Sequence, residues 1–214
     1  MRARVWIILL VSAALCVGLA HALDRTLLDA LAFDGVYDDD WGRALRVLGY
    51  VPVWFVVSLV FVLIDRGRRD TLRAPLRDAH TRGVLLSLSA LSAGGVAEGL
   101  KMLLRRERPG EDLAYSFRPF AEATWSTSGL GLPSSHAAVA AGACAMLCLL
   151  HPRATPVFAL LAAGCAATRV SAGAHYPSDA VLGLVVGVAC AMAWWTLHMR
   201  NLRGDSLSGG GDDA

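Results

Sequence analysis

Runs of apolar residues long enough to cross a lipid bilayer constrain this chain more than any other feature. They cover residues 5–23, 44–64, 83–104, 135–150, 156–170 and 180–199. A helix needs about 20 apolar residues to cross the hydrocarbon core of a membrane. Charged residues make up only 18% of the chain, whereas they make up about 25% of an ordinary soluble domain. The sequence therefore predicts an all-α, polytopic membrane protein with six transmembrane helices.

The charged residues are distributed unevenly between the loops. Residues 65–82 contain six arginines, whereas residues 24–43 contain two arginines and six aspartates. Because cytoplasmic loops are enriched in basic residues, segment 65–82 and both termini are predicted to lie inside, and loop 105–133 outside. That outer loop nevertheless contains four arginines, which indicates that they bind something anionic: Arg105, Arg106, Arg108 and Arg118.

Composition also limits the organisation and partners of the chain. We expect one transmembrane domain over residues 1–200 and a disordered cytoplasmic tail over residues 201–214, which are rich in Gly, Ser and Asp. The first 22 residues resemble both a retained helix and a cleaved signal peptide, and we favour the helix. A net charge of +2 without a basic, aromatic-rich stripe argues against nucleic-acid binding. The oligomeric state is open.

The first of three polar clusters lies at the outer end of the third apolar run. Lys101 is the only lysine in the chain, and Arg108 follows seven residues later, directly before Pro109. If the helix continues to Pro109, two turns bring both cations to one face. Charges inside a membrane are costly and are often functional. The alternative is that Glu98 neutralises Lys101 and that Arg108 only reaches the interface.

The second cluster opens the fourth apolar run on the same predicted side. Pro133, Ser134, Ser135 and His136 place hydroxyls, free backbone N–H groups and an imidazole at the start of a helix. A helix N-terminus with these groups is suited to binding an anion. A capping serine followed by an interfacial histidine would also explain the segment.

The third cluster joins the fifth and sixth apolar runs. It contains Arg169 and, further along, His175 and Asp179 at a spacing of four residues. This spacing allows the carboxylate to reach one imidazole nitrogen and leaves the other nitrogen unprotonated. A structural His–Asp pair is the alternative. The three clusters converge on one membrane face, which favours a shared site.

The three segments resemble the signature of the type 2 phosphatidic acid phosphatase superfamily, which includes vanadium haloperoxidases and bacterial acid phosphatases. The family pattern is KxxxxxxRP, then PSGH, then SRxxxxxHxxxD. Here the segments read KMLLRRERP at 101–109, PSSH at 133–136 and TRVSAGAHYPSD at 168–179. Ser135 therefore replaces a glycine and Thr168 replaces a serine. The resemblance covers about residues 83–199 and implies a membrane-embedded lipid phosphatase.

The resemblance and the residue types imply the same division of roles. His175 would attack phosphorus to form a phosphohistidine, with Asp179 orienting it. His136 would protonate the leaving group and then activate water. Five residues would hold the phosphate oxygens: Lys101, Arg108, Ser134, Ser135 and Arg169. The positive charge of Lys101, Arg108 and Arg169 makes a metal ion unnecessary, and no cofactor is expected.

The expected location also limits the substrate. A site at headgroup depth on the outer face of the plasma membrane would receive a lipid phosphate from the bilayer. Phosphatidate, phosphatidylglycerol phosphate and polyprenyl diphosphates such as undecaprenyl diphosphate all fit. The aromatic loop residues Tyr115, Phe117, Phe120 and Trp125 are expected in the interface, as substrate contacts or as membrane anchors. A lipid phosphotransferase, a haloperoxidase and a non-enzymatic transporter are the alternative functions.

Overall fold

The computed structural model describes residues 3–67, 81–110 and 113–208, and these ranges are helical without a β-strand. Only two isolated β-bridges occur in them, between Arg106 and Phe117 and between Glu107 and Leu130. The α-helices of the described ranges are α1 (Ala3–Ala22), α2 (Asp24–Leu31), α3 (Asp40–Val47), α4 (Val51–Gly67), α5 (Thr81–Leu104), α6 (Ser135–Leu150), α7 (Thr155–Ser171) and α8 (Pro177–Ser208).

Three helical segments are long and apolar enough to cross a membrane: α5, α8, and α7 together with the 3-10 turn Pro152–Ala154 that precedes it. Two further pairs, α1 with α2 and α3 with α4, are bent by 65° and 70° and would raise the number to five if each pair is one span. Helix α6 has only 16 residues, fewer than the ~20 that a full crossing needs. The all-α fold is confirmed and has three to five candidate membrane spans, but the six predicted spans are not confirmed.

Apolar side chains cover much of the surface of the outer helices. Leu10 and Leu15 on α1 and Leu59 and Leu63 on α4 are all more than half exposed. Soluble monomers rarely expose continuous apolar surface of this kind. These side chains are therefore placed to contact lipid.

Helix α6 lies at the centre of the helix bundle. It packs against α5, α7 and α8, and most of its residues are buried. A Cβ atom at Gly187 of α8 would lie 2.4 Å from the carbonyl oxygen of Ala138 on α6. Small residues thus let the two backbones approach closely, as at many helix contacts in membranes. This packing fixes the N-terminus of α6 against the start of α8.

Two boundaries differ from the sequence-based expectation. The second apolar run, predicted as one helix over 44–64, is interrupted between α3 and α4, where Gly49 packs so closely on His136 that a Cβ would lie 2.6 Å from its Cδ2 atom. Helix α8 continues to Ser208 and so includes eight residues of the predicted disordered tail. Residues 209–214, like 68–80 of the predicted cytoplasmic loop, lie outside the described residues.

Candidate active site

The first polar cluster is built differently from the expected continuous helix. Helix α5 ends at Leu104, and Arg105 adopts a left-handed φ of 54°, so the helix does not continue to Pro109. Lys101 is buried and its Nζ donates to Oε1 of Glu98 at 2.8 Å. Arg108 lies in the loop and is exposed. The two cations are therefore brought together by the loop rather than by two helical turns.

The second cluster forms the first turn of α6. Ser134 is the N-cap, and its hydroxyl accepts the N–H of Ala137 at 3.5 Å, while its own N–H donates to the carbonyl of Asp179 at 2.9 Å. The hydroxyl of Ser135 instead donates to Oε1 of Glu98. The first N–H groups of a helix have no partner within the helix. In this turn the N–H groups of Ala137 and Ala138 already bond to Ser134, so a bound anion would meet those of Ser135 and His136.

The third cluster holds a buried imidazole against a buried carboxylate. Nδ1 of His175 lies 3.5 Å from Oδ2 of Asp179, and both side chains are almost fully buried. Oδ2 of Asp179 also accepts the N–H of Tyr176 at 2.9 Å. Burial lowers the pKa of His175, against the opposing effect of Asp179. The neutral form that burial favours is the form that a nucleophile requires. Nδ1 lies on the side of Asp179 but makes no hydrogen bond within the described residues.

A buried arginine supports this carboxylate from the other side. Arg106 pairs with Oδ1 of Asp179, donates to the hydroxyl of Ser178 at 2.7 Å and lies 3.5 Å from Asp24. Asp24 in turn accepts the N–H and the hydroxyl of Ser178 at 2.7 and 2.5 Å. Tyr115 donates to Asp24 at 3.0 Å, and burial together with the charge of Asp24 raises the pKa of Tyr115 to about 12. This network ties α2 and the loop to the start of α8.

A cavity of about 520 Å³ lies where the three clusters meet. Five of the predicted site residues line it: Lys101, Arg108, Ser135, His136 and His175. Glu98 and the loop residues 125–128 complete its wall. Nε2 of His136 is buried and has no hydrogen-bond partner among the described residues. The cavity thus brings two imidazoles and two cations together at one end of the bundle.

The other predicted site residues lie outside the wall of this cavity. Asp179 lies behind His175, and Ser134 is buried beneath the first turn of α6. Arg169 is also buried, and its Nη1 donates to the hydroxyl of Tyr37 at 2.5 Å. A phosphate in the cavity would therefore meet Ser135 and the α6 backbone before it meets Ser134.

The outer-loop arginines were expected to bind something anionic, but three of the four bond to groups of the protein itself and do not face the cavity. Arg105 donates to the carbonyls of Arg118, Pro119 and Glu122, and its side chain closes the loop. Arg118 pairs with Glu107 at 3.2 Å, and Arg106 belongs to the network described above. Only Arg108 faces the cavity. Unpaired backbone carbonyls and nearby carboxylates explain the excess of arginine in this loop.

Two features of the site were not found from the sequence. Arg106 lies inside the first motif but between its pattern positions, and Asp24 is separated from Asp179 by more than 150 residues, so no local pattern connects them. The aromatic loop is also divided. Phe117, Phe120 and Trp125 are exposed, whereas Tyr115 packs on the network.

The described residues contain no group of three or more His, Cys, Asp or Glu side chains that could hold a metal ion. The charges at the cavity are instead those of Lys101, Arg108 and Glu98. Such a cavity is suited to an anion with several oxygens, and its imidazoles can transfer protons or act as nucleophiles.

Comparison with known proteins identifies relatives of this chain. A family model described as the PAP2 superfamily matches residues 82–203. The chain is 33% identical over 115 residues to a lipid A 1-phosphatase of Rhizobium johnstonii, covering 54% of this chain and 45% of the relative. It is 30% identical over 137 residues to a decaprenylphosphoryl-5-phosphoribose phosphatase of Mycobacterium tuberculosis, covering 63% of this chain and 65% of the relative.

The chain spans about half the length of the lipid A 1-phosphatases that it matches. No solved structure matches it at a significant level. The family match begins in α5 and ends in α8, so it contains all three polar clusters but none of α1 to α4.

Proposed function

This chain belongs to the PAP2 superfamily, and we propose that it is a metal-independent phosphatase of lipid phosphates or polyprenyl diphosphates that acts through a phosphohistidine. The observation that carries the proposal is the cavity in which His175, His136, Lys101 and Arg108 meet. The relatives support the substrate class, because their names specify phosphates of lipid A and of a decaprenyl lipid.

His175 is the proposed nucleophile. Asp179 faces Nδ1, which leaves the lone pair of Nε2 to attack phosphorus as the bond to the leaving oxygen breaks. A positive charge then develops on the imidazole, and the carboxylate of Asp179 stabilises it. Arg106 holds that carboxylate in place and shares its charge, so it acts on the reaction through Asp179.

His136 is the proposed general acid and base. It lines the same cavity as His175 and its Nε2 has no partner within the described part of the chain. It would protonate the leaving oxygen in the first step and remove a proton from water in the second. Proton transfer of this kind requires a hydrogen-bond distance that only the bound substrate establishes.

Fixed positive charge and backbone N–H groups would stabilise the phosphate oxygens. Lys101 and Arg108 lie in the cavity wall, Arg169 lies beside it, and the first turn of α6 adds the N–H of Ser135. Preorganised donors of this kind account for much of the rate enhancement in phosphoryl transfer. The replacement of the motif glycine by Ser135 keeps this N–H and directs the added hydroxyl to Glu98.

The direct test is phosphate release by the purified protein from phosphatidate, phosphatidylglycerol phosphate and polyprenyl diphosphate, each with and without a chelator. We expect release from at least one lipid, unchanged by the chelator. Absence of release from every lipid, or a requirement for a divalent ion, would overturn the proposal. Transfer of phosphate to an added alcohol in preference to water would identify a phosphotransferase instead.

We also propose that the cavity opens on the extracytoplasmic face of the plasma membrane, as the arginine distribution predicts. Thr124 lies in the loop beside the cavity, and Arg153 lies at the opposite end of α6. In a variant without the native cysteines, Thr124→Cys should react with an impermeant thiol reagent on intact cells, and Arg153→Cys should not. The reverse labelling pattern would contradict this orientation.

A further inference from the structure

A second group of cationic and aromatic side chains lies beside the cavity. Tyr37 precedes α3, Arg46 lies in the last turn of α3, and Tyr50 lies between α3 and α4. All three precede the family match at residues 82–203, and none belongs to the three sequence motifs. The fold nevertheless places them against His136 and Arg169.

The ring of Tyr37 is shared by two guanidinium groups. Cζ of Arg46 lies 4.6 Å from the ring centroid, and Cζ of Arg169 lies 5.7 Å from it. The hydroxyl of Tyr37 accepts from Nη1 of Arg169 and donates to the carbonyl of Thr168 at 3.1 Å. Two cations are thus held close together on one aromatic ring.

Arg46 is also linked to His136 through the ring of Tyr50. Its Cζ lies 6.0 Å from the ring centroid of Tyr50, and that ring meets the imidazole of His136 edge to face at a centroid distance of 4.9 Å. Gly49 packs directly on His136. The α3 end of the site therefore borders the imidazole that would protonate the leaving group.

These two arginines lack a counterion in the structure. Among the described residues neither Arg46 nor Arg169 forms an ion pair with a carboxylate, and the Nε atom of each is buried without a hydrogen-bond partner. Their charges repel each other. Five other described cations have a carboxylate partner: Lys101 with Glu98, Arg106 with Asp179 and Asp24, Arg43 with Asp40, Arg82 with Asp65 and Arg118 with Glu107. Two adjacent uncompensated cations indicate a site for an anion.

We propose that Arg46, held beside Arg169 by the ring of Tyr37, forms a second phosphate subsite that holds the lipid-side phosphate of a lipid diphosphate. The inference rests on the proposed function, in which His175 attacks the terminal phosphorus and His136 faces the leaving group. In a diphosphate, the bond between the terminal phosphorus and the bridging oxygen breaks, and its electron pair leaves with the lipid-side phosphate. Negative charge on the lipid-side phosphate increases in this step, and Arg46 lies against Tyr50, whose ring contacts His136.

The charge of the site matches a diphosphate better than a monophosphate. Glu98 compensates Lys101, so the described cations that line or border the cavity without a carboxylate partner are Arg108, Arg169 and Arg46. A lipid monophosphate carries a charge of about −1.5 to −2 at neutral pH. A lipid diphosphate adds a second ionised phosphate, for which Arg46 supplies the additional positive charge.

The experiment compares a prenyl monophosphate with the diphosphate of the same chain length. Arg46→Gln removes the charge but keeps most of the side chain, and Arg153→Gln is the control because Arg153 is exposed at the opposite end of α6. We expect Arg46→Gln to lower kcat/KM for the diphosphate by about tenfold or more, the typical effect of losing a charge-assisted hydrogen bond. The monophosphate should lose much less, Arg46→Lys should recover part of the loss, and the control should change neither substrate.

A binding measurement separates this inference from the proposed function. Methylenediphosphonate should raise the thermal unfolding temperature of the parent protein at lower concentration than inorganic phosphate does. That preference should disappear in Arg46→Gln. If the parent hydrolyses neither lipid but keeps the preference, the proposed function fails and the subsite stands. Equal losses of kcat/KM for both lipids in Arg46→Gln, or an unchanged diphosphonate preference in that variant, would overturn the subsite.

Discussion

Replacing Arg106 by alanine should destabilise the protein more than replacing any surface arginine of the same loop. Arg106 is 2% exposed and pairs with two carboxylates, Asp179 and Asp24, that are fully buried. Its removal leaves both carboxylates without their cation, although Ser178 still donates to Asp24. The cost is therefore the desolvation of two buried charges rather than the loss of one contact.

The magnitude follows from this burial. Breaking a buried ion pair by removing one partner typically costs about 3–5 kcal/mol. For a chain of this size, a loss of 1 kcal/mol lowers the unfolding temperature by about 2–4 °C, which gives a predicted decrease of about 6–20 °C. Arg118→Ala is the matched control, because Arg118 pairs with the partly exposed Glu107 and such pairs contribute about 0–1 kcal/mol.

The assay is thermal unfolding in detergent of Arg106→Ala, Asp24→Asn and the double variant. Asp24→Asn should recover part of the stability lost in Arg106→Ala, because it neutralises one of the two carboxylates left unpaired. The coupling energy between the two substitutions should exceed about 1 kcal/mol, as is common for residues in one buried network. An unfolding temperature of Arg106→Ala equal to that of Arg118→Ala would refute the reasoning.

Three further predictions concern the proposed chemistry. In the first-turnover burst, His136→Ala should slow the hydrolysis of a lipid monophosphate by about 10²–10⁴-fold. It should slow the hydrolysis of a diphosphate less, because an alkoxide leaving group needs a proton more than a phosphate leaving group does. Equal losses would mean that His136 only holds phosphate. Vanadate should inhibit protein that has been treated with a chelator and then separated from it, by mimicking the transition state at Lys101 and Arg108. A requirement for an added divalent ion before vanadate inhibits would count against the site. Burial lowers the pKa of His175 below its ordinary value of 6.5. Nitrogen NMR of labelled histidine, with the signal assigned by its loss in His175→Ala, should therefore show a neutral His175 at a pH equal to that ordinary value. A protonated imidazole there would contradict the described environment.

The parts of the site that follow from local sequence were predictable. The start of α6 at Ser135 and the pairing of His175 with Asp179 follow from a capping serine and from a spacing of four residues. The predicted end of α5 was wrong. Proline terminates helices, so the sequence pointed to Pro109, whereas the helix ends earlier at the left-handed backbone of Arg105, whose side chain contacts loop carbonyls. Those contacts join residues that no periodic pattern relates.

The contributions from the first half of the chain could not be predicted. Asp24 contacts Ser178 across 154 positions, and Tyr37 contacts Arg169 across 132 positions. Neither residue differs locally from an ordinary acidic or aromatic loop residue. The six predicted spans are not confirmed, because hydropathy counts apolar runs, whereas the bends after α1 and α3 and the short length of α6 depend on packing.

The most direct test of the account is to identify the residue that carries phosphate during turnover. The purified protein is mixed with an intact lipid phosphate that it hydrolyses. It is then denatured at alkaline pH, because phosphohistidine is labile in acid, and digested for mass spectrometry. The account predicts a phosphoryl group on the peptide that contains His175, formed at the burst rate, and its absence from His175→Ala, which should remain folded but inactive. A phosphoryl group on another residue, or phosphate release by His175→Ala within tenfold of the parent rate, would contradict it.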